Sequence, residues 1–143
     1  MKVKIKKVHP DAKIPEYKSK DAAGCDVYAL EEVKIKPNTI EFIRTGVSFE
    51  FESTHFLMIA PRSSLALKKN LMVPNSIAIG DSDYRGEYLL ALRNLGTEEV
   101  TIDKHERIGQ ILFLQFTRAE FEEVDELSDT ERGTGGFGST GKF

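Results

Sequence analysis

The stretch Lys2-Val3-Lys4-Ile5-Lys6 alternates strictly between polar and apolar side chains, and residues 32–36 (EVKIK) repeat the pattern. A period of two residues is typical of a β-strand with one buried face. Further short runs rich in β-branched and aromatic residues predict strands at residues 42–51, 56–60, 76–79, 88–93, 100–102, 108–116 and 120–124. Many short strands separated by turn residues predict an all-β fold, which is a sandwich, a jelly roll or a barrel.

Two segments depart from this strand pattern. Residues 63–70 (SSLALKKN) predict one short helix, which the serines cap and Asn70 ends. Acidic residues crowd together over residues 120–131, and five glycines follow in residues 132–143. A glycine-rich end of this kind does not hold a fixed shape by itself. We therefore expect a single domain over residues 1–143, with a β core over about 1–124 and a mobile arm over 125–143.

Length and composition exclude several classes of protein. The chain has 143 residues, a formal net charge of −3 and a single cysteine, Cys25. One cysteine excludes an internal disulfide and a cysteine-based zinc site. No apolar run approaches the ~20 residues of a membrane-spanning helix, and residues 1–10 lack the apolar core of a signal peptide. We therefore expect a cytoplasmic protein with no membrane or nucleic-acid partner.

The segment APRSSL (residues 60–65) places Arg62, Ser63 and Ser64 at the start of the predicted helix. A guanidinium group, hydroxyls and the free N–H groups of a helix start together suit a phosphate. The same residues also suit a plain helix cap beside a surface arginine.

The segment NSIAIGDSDYRGE (residues 75–87) predicts a β-hairpin whose polar turn holds Asp81, Asp83 and Tyr84. Aspartates are common in turns for backbone reasons alone. A carboxylate at the end of a strand can also orient a water molecule for attack.

Three more segments place polar groups in unusual surroundings. Gln110 lies within the apolar run ERIGQILF (106–113), and Asp26 lies within AGCDVYA (23–29). A buried amide or carboxylate needs hydrogen-bond partners, a counter-charge or a metal. In RGTGGFGSTG (132–141), an arginine, two kinds of hydroxyl and one aromatic ring stand among glycines. That combination suits an anion clamp with a stacking ring, and a disordered tail has the same composition.

Taken in chain order, these five segments resemble the five motifs of the homotrimeric dUTPase family (deoxyuridine triphosphate nucleotidohydrolases), and they span residues 23–141. The resemblance implies a β jelly roll and a homotrimer with three active sites shared between subunits. It also implies that the glycine-rich tail of one subunit closes over a site built by its neighbours. The implied reaction is hydrolysis of dUTP to dUMP and pyrophosphate, which lowers dUTP and supplies dUMP for thymidylate synthesis.

The resemblance implies roles for individual residues. Asp81 matches the aspartate that activates the water attacking the α-phosphorus. Tyr84 matches the tyrosine that packs on the deoxyribose and excludes a ribose 2′-hydroxyl. A close fit around the uracil excludes the C5-methyl group of thymine. The group that reads the uracil edge comprises the Asn75 side chain and main-chain groups of Ile79, Gly80 and Leu89.

Phosphate binding is implied for residues of several motifs, namely Arg62, Ser63, Ser64, Gln110, Arg132, Gly138, Ser139 and Thr140. Phe137 matches the aromatic ring that stacks over the uracil. Mg²⁺ is the implied cofactor, and the triphosphate and water hold most of its coordination sphere. Asp26 is expected to reach that ion through water only.

The sequence departs from the family pattern in three places. Ser64 stands where the family usually has glycine, and Gly109 stands where it usually has alanine. The glycine of the third motif is displaced by two positions, to Gly80. Two alternative functions stay open, a dCTP deaminase on the same fold and a regulatory protein that binds dUTP.

Overall fold

A computed structural model of the protein describes residues 1–136. Within this range the chain forms eleven strands and one helix: β1 (Lys4–Lys7), β2 (Cys25–Tyr28), β3 (Val33–Ile35), β4 (Ile40–Arg44), β5 (Val47–Glu50), β6 (His55–Pro61), α1 (Ser63–Lys69), β7 (Leu71–Met72), β8 (Ala78–Gly80), β9 (Leu89–Asn94), β10 (Val100–Ile102) and β11 (Arg107–Gln115). With seven residues, the described helix is too short to cross a membrane.

The strands form two larger sheets and two separate strand pairs. One sheet has the order β2-β11-β6-β8 and the other has the order β4-β9-β7, while β1 pairs with β5 and β3 pairs with β10. Apolar side chains from both larger sheets meet in one core, in which Leu57, Ile111, Ile43 and Leu90 are fully buried. The predicted all-β fold is confirmed, and because the sheets do not close it is a sandwich and not a barrel.

The predicted strand over residues 42–51 is divided into β4 and β5. The division falls at Gly46, whose φ is +71°. A Cβ atom at this position would lie 2.6 Å from the Cβ of Ala12. Glycine alone accommodates both the left-handed backbone and the close contact. The turn at Gly46 takes the chain from the three-stranded sheet to its pairing with β1.

Two further strand predictions are wrong. β8 and β9 belong to different sheets, so residues 75–87 cross between the two layers and do not form a hairpin. Residues 120–124 form no strand, and the side chain of Phe121 is 95% exposed.

The helix is confirmed, and one of its two predicted ends is correct. Asn70 ends it in a left-handed conformation with φ of 52°, and the backbone N–H of Asn70 donates to the carbonyl of Leu65. The predicted serine cap is wrong, because Ser63 and Ser64 lie inside the first turn. The N-cap residue is Arg62, which makes no side-chain cap hydrogen bond.

Asn94 is a fully buried polar residue at the end of β9. Its amide nitrogen donates to the carbonyl oxygens of Ile35, at 2.9 Å, and Glu98, at 2.7 Å. Its amide oxygen accepts the backbone N–H of Gly96 at 2.8 Å. One side chain therefore ties β9 to β3 and closes the turn that follows β9.

We expect Asn94→Ala to lower the free energy of unfolding by about 2–4 kcal/mol, because it leaves buried backbone groups without partners. Urea unfolding followed by circular dichroism measures this loss. The matched control is Arg93→Ala, which alters the exposed neighbour on the same strand and should stay within about 0.5 kcal/mol of the native protein. Equal losses in the two variants would contradict the assignment.

Glu87 ties the segment that crosses between the sheets to the turn at Gly46. Its carboxylate accepts two side-chain N–H groups of Arg44, at 2.9–3.2 Å, and the backbone N–H of Gly46 at 2.8 Å. The side chain of Glu87 is only 18% exposed. Burial by itself raises the pKa of this carboxyl, but the hydrogen bonds from Arg44 and Gly46 outweigh it and hold the pKa below the ordinary value of 4.5.

A lowered pKa in the folded state means that the ionised form stabilises the fold above the ordinary pKa, and that this contribution is lost as the pH falls through the folded-state pKa. We therefore expect Glu87→Gln to cost about 1–3 kcal/mol at pH 7 and less as the solution is acidified. Urea titrations from pH 7 to pH 3 measure the difference. Glu52→Gln, at an exposed position, is the control. A gap between native and Glu87→Gln protein that stays constant with pH would disprove the role of the charge.

Candidate active site

A cavity of about 340 Å³ opens where the chain crosses from β8 to β9. Six residues that the sequence predicts as site residues line it together: Asn75, Ile79, Gly80, Asp81, Tyr84 and Leu89. Its volume falls within the range of small-molecule sites. Sequence reasoning did not identify the other lining residues, which are Phe42, Ile59, Ala78, Glu87, Tyr88 and Ala91.

Asp81 follows β8 directly and is exposed at the rim of this cavity. The backbone turns there, because the N–H of Tyr84 donates to the carbonyl of Asp81 at 3.2 Å. The hydroxyl of Tyr84 donates to the carbonyl of Glu87 at 3.0 Å, and the guanidinium of Arg85 donates to the carbonyl of Ser82 at 2.7 Å. These local bonds shape the loop that carries the aspartate and the tyrosine.

Main-chain groups beside the cavity are open to a ligand. β8 is the edge strand of its sheet, so one of its two edges pairs with no described strand. Across the cavity, one edge of β9 pairs with β7 only at Arg93 and Asn94. The Leu89 end of that edge has no partner strand among the described residues. Backbone N–H and C=O groups on such edges can recognise the polar edge of a planar ring.

Gly80 is required by the packing of Tyr88 across the floor of the cavity. A Cβ atom on Gly80 would lie 2.4 Å from the Cε1 and hydroxyl oxygen atoms of Tyr88. The displaced glycine of the third motif therefore has a physical reason, since the aromatic ring occupies the space of a side chain at position 80. Burial, together with the nearby Tyr84 and Asp81, raises the pKa of Tyr88 to about 12.

A second group of polar residues forms around Asp26 on β2. The Asp26 side chain is almost fully buried, and its Oδ2 atom accepts the Nη1–H of Arg107 at 2.9 Å. Arg62 Nε lies 3.5 Å from Oδ1, which accepts no hydrogen bond from the described residues. Gln110 pairs with Asp26 across β2 and with Ala60 across β6, and its side chain is exposed. Asp26 and Arg62 therefore lie side by side, Gln110 lies opposite Asp26 in the sheet, and Ser63 and Ser64 follow Arg62 along the chain. The expectation that Gln110 is buried is wrong.

Arg107 is a member of this group that sequence reasoning missed. The pairing of β11 with β2 shifts register between Arg107 and Gly109. A bulge of this kind redirects a side chain, and here the guanidinium reaches Asp26. The only signal in the sequence was a cation at the start of an apolar strand, which by itself is typical of a solvated strand end.

The structure of one chain does not bring every predicted residue together. Asp26, Arg62, Ser63, Ser64 and Gln110 lie outside the residues that line the cavity. Arg132 is exposed and donates through Nε to the carbonyl of Gly135 at 2.8 Å. The four remaining predicted contacts lie outside the described residues: Phe137, Gly138, Ser139 and Thr140.

The described residues contain no cluster of three or more His, Cys, Asp or Glu side chains that could hold a metal ion. The buried Oδ1 atom of Asp26 accepts no hydrogen bond from these residues, and a carboxylate oxygen of this kind is an acceptor for a water molecule.

Comparisons with known proteins identify the family of this chain. A family model described as dUTPase matches residues 10–141 of the chain. Among curated relatives named deoxyuridine 5'-triphosphate nucleotidohydrolase, the protein of Nautilia profundicola is 50% identical over 142 residues, which cover 99% of this chain and 100% of the relative. The protein of Helicobacter pylori strain J99 is 43% identical over 141 residues, which cover 99% of this chain and 97% of the relative.

Among solved structures, the dUTPase of Staphylococcus bacteriophage 80alpha with dUpNHpp superposes with a TM-score of 0.91 at 24% identity, covering 98% of each chain. That likeness concerns the fold and confirms the predicted jelly-roll class. The family match across nearly the whole chain and the identity to curated relatives lead to one conclusion: the chain belongs to the dUTPase family.

Proposed function

We propose that this chain hydrolyses dUTP to dUMP and pyrophosphate by attack of water on the α-phosphorus. Family membership supports the proposal, and the observation that carries it is the cavity where Asp81 lies beside Asn75 and Tyr84. Asp81 orients the water and accepts its proton as the new P–O bond forms. The bond from the α-phosphorus to the bridging oxygen then breaks, and pyrophosphate leaves with the bonding electrons.

Recognition of the nucleoside belongs to the same cavity. Asn75 and the main-chain groups of Ile79, Gly80 and Leu89 hydrogen-bond the uracil edge. The unpaired strand edges beside the cavity support this role. Tyr84 packs against the deoxyribose and leaves no room for a 2′-hydroxyl, while a close fit around the uracil excludes a methyl group on C5.

The triphosphate is assigned to the group around Asp26. Arg62 and Gln110, with the hydroxyls of Ser63 and Ser64, contact the phosphates. Two guanidinium groups face one carboxylate there, so the group keeps a net positive charge. A site of that sign attracts a polyanion.

Mg²⁺ is the proposed cofactor, held by the triphosphate and by water that donates to Asp26. When bound, the ion neutralises charge on the phosphates. Arg107 holds the Asp26 carboxylate in place from its other oxygen.

We further propose that the enzyme is a homotrimer with shared active sites. In one chain, the cavity and the group around Asp26 are lined by different residues, which supports a site completed by a second subunit. The C-terminal arm over residues 125–143 then supplies the remaining contacts, namely Arg132, Phe137, Gly138, Ser139 and Thr140. The proposed compartment is the cytoplasm, where the lone Cys25 stays a free thiol.

The alternative functions are not favoured. The family model and the curated relatives are dUTPases, and the chain covers those relatives almost completely. Neither a dCTP deaminase nor a purely regulatory protein is supported by a separate observation.

We expect pyrophosphate release, measured with Mg²⁺, from dUTP but not at comparable rates from dTTP, dCTP or UTP. Asp81→Asn should lower kcat at least 100-fold, since a general base contributes roughly that much. The same variant should still bind a non-hydrolysable dUTP analogue in calorimetry, because the amide keeps the shape of the site. Ser82→Ala, on the next residue, is the control. Near-native kcat in Asp81→Asn would exclude this mechanism.

Sites shared between subunits predict complementation between two inactive variants. Each of the two variants Asp81→Asn and Arg62→Ala is expected to be inactive alone. A mixture co-refolded from equal amounts should recover roughly a quarter of native activity, because random assembly unites the two intact halves in that fraction of sites. Light scattering should give three times the chain mass.

A mixture of two differently tagged Asp81→Asn preparations is the control for this experiment and should stay inactive. If the mixed variants also stayed inactive in mixed trimers, each site would be complete within one chain.

A further inference from the structure

Tyr88 is a buried aromatic residue of the cavity to which neither the motifs nor the proposed mechanism gives a role. The residue is 6% exposed, and it lines the cavity immediately before β9. The backbone of Tyr88 is fixed on both sides, since its N–H donates to the carbonyl of Val47 at 3.0 Å and its carbonyl accepts the hydroxyl of Thr45 at 2.6 Å. The ring therefore projects from a rigid support.

The ring of Tyr88 meets the ring of Tyr84 edge to face. Their centroids are 5.2 Å apart and their planes are inclined by 83°. Tyr84 itself is 46% exposed, and among the described residues its hydroxyl makes one hydrogen bond, to the carbonyl of Glu87. A half-exposed ring on a loop needs a second contact to fix its tilt, and among the aromatic contacts of the described residues Tyr88 supplies it.

The space for this contact depends on Gly80. Any side chain there would collide with the Tyr88 ring at 2.4 Å, so the glycine and the ring are coupled across the cavity floor. The hydroxyl of Tyr88 accepts and donates no hydrogen bond among the described residues. Among the described residues, the contact of Tyr88 with Tyr84 is therefore made by the ring and not by the hydroxyl.

We propose that Tyr88 is a positioning residue for sugar discrimination, which acts by holding the Tyr84 ring against the deoxyribose. This inference rests on the proposed function of the cavity. A Tyr84 ring that is free to tilt leaves room for a ribose 2′-hydroxyl, so removal of the Tyr88 ring relaxes the preference for dUTP over UTP. Removal of the Tyr88 ring should change KM and not kcat, because the Tyr84 ring packs against bound substrate before the chemical step.

The experiment measures kcat and KM for dUTP and UTP in three variants. Tyr88→Leu removes the ring and should lower the ratio of kcat/KM for dUTP to that for UTP roughly three- to tenfold, the range expected for loss of one edge-to-face contact. Tyr88→Phe keeps the ring and should preserve that ratio. It should not lower the midpoint of thermal unfolding, because the hydroxyl that it removes has no partner.

Phe49→Leu is the matched control. Phe49 is 5% exposed and packs edge-on against the same Tyr88 ring at 5.3 Å, but it lines a different cavity. It should lose stability to a similar extent while keeping the ratio of the two substrates. An equal fall in the ratio for Phe49→Leu and Tyr88→Leu would show that general loosening of the core is the cause, and would overturn the proposal.

Gly80→Ala provides a second route, since it displaces the Tyr88 ring without removing it. A lowered ratio in this variant supports the proposal even if Tyr88→Leu fails to fold. If native protein hydrolyses dUTP in preference to UTP and every folded variant keeps the native ratio, the role of Tyr88 is overturned and the proposed function stands. Native protein without dUTP hydrolysis would instead overturn the proposed function.

Discussion

The Glu87 carboxylate accepts hydrogen bonds from the side chain of Arg44 and from the backbone N–H of Gly46. The candidate site depends on this contact. It fixes the chain at the point where residues 81–87 pass from one sheet to the other. Because Glu87 is largely buried, losing one partner would leave a charge without compensation in a poorly solvated place. The bonds of Tyr88 to Val47 and Thr45 continue the same attachment into β9. The loop that carries Asp81 and Tyr84 is thus attached to the core at its C-terminal end, while Asp81 and Tyr84 themselves are exposed.

The site is divided by chemistry as well as by position. The cavity between β8 and β9 is lined mainly by apolar and main-chain groups, which suits a planar base and a sugar. The group around Asp26 concentrates cations, which suits phosphates. Asp26 accepts a hydrogen bond from Arg107 and lies 3.5 Å from Arg62 Nε, so two guanidinium groups stand beside one buried carboxylate. The other oxygen of Asp26, Oδ1, accepts no hydrogen bond from the described residues.

Much of the fold could be predicted from local pattern, because alternation reports which face of a strand is buried. Alternation predicted the strands near Lys4 and Val33, a short β-branched run predicted the strand near Val100, and Asn70 itself predicted the end of the helix. β2 was not predicted, because all four of its residues are buried and the alternation disappears. Residues 120–124 were wrongly predicted to form a strand, since a sequence pattern alone does not reveal whether a partner strand is present.

The sequence by itself determined the strand-rich class and the end of the helix at Asn70, because these follow from side-chain chemistry and near neighbours in the chain. The residues that line the cavity were predicted from the resemblance of five motifs to those of a known family. Only the tertiary structure decided that β8 and β9 lie in different sheets, that Arg107 reaches Asp26, and that Gly80 makes room for Tyr88. Each of these depends on register and packing between residues distant in the chain. Such contacts are selected by the shape of the whole core, and a local sequence pattern carries no information about that shape.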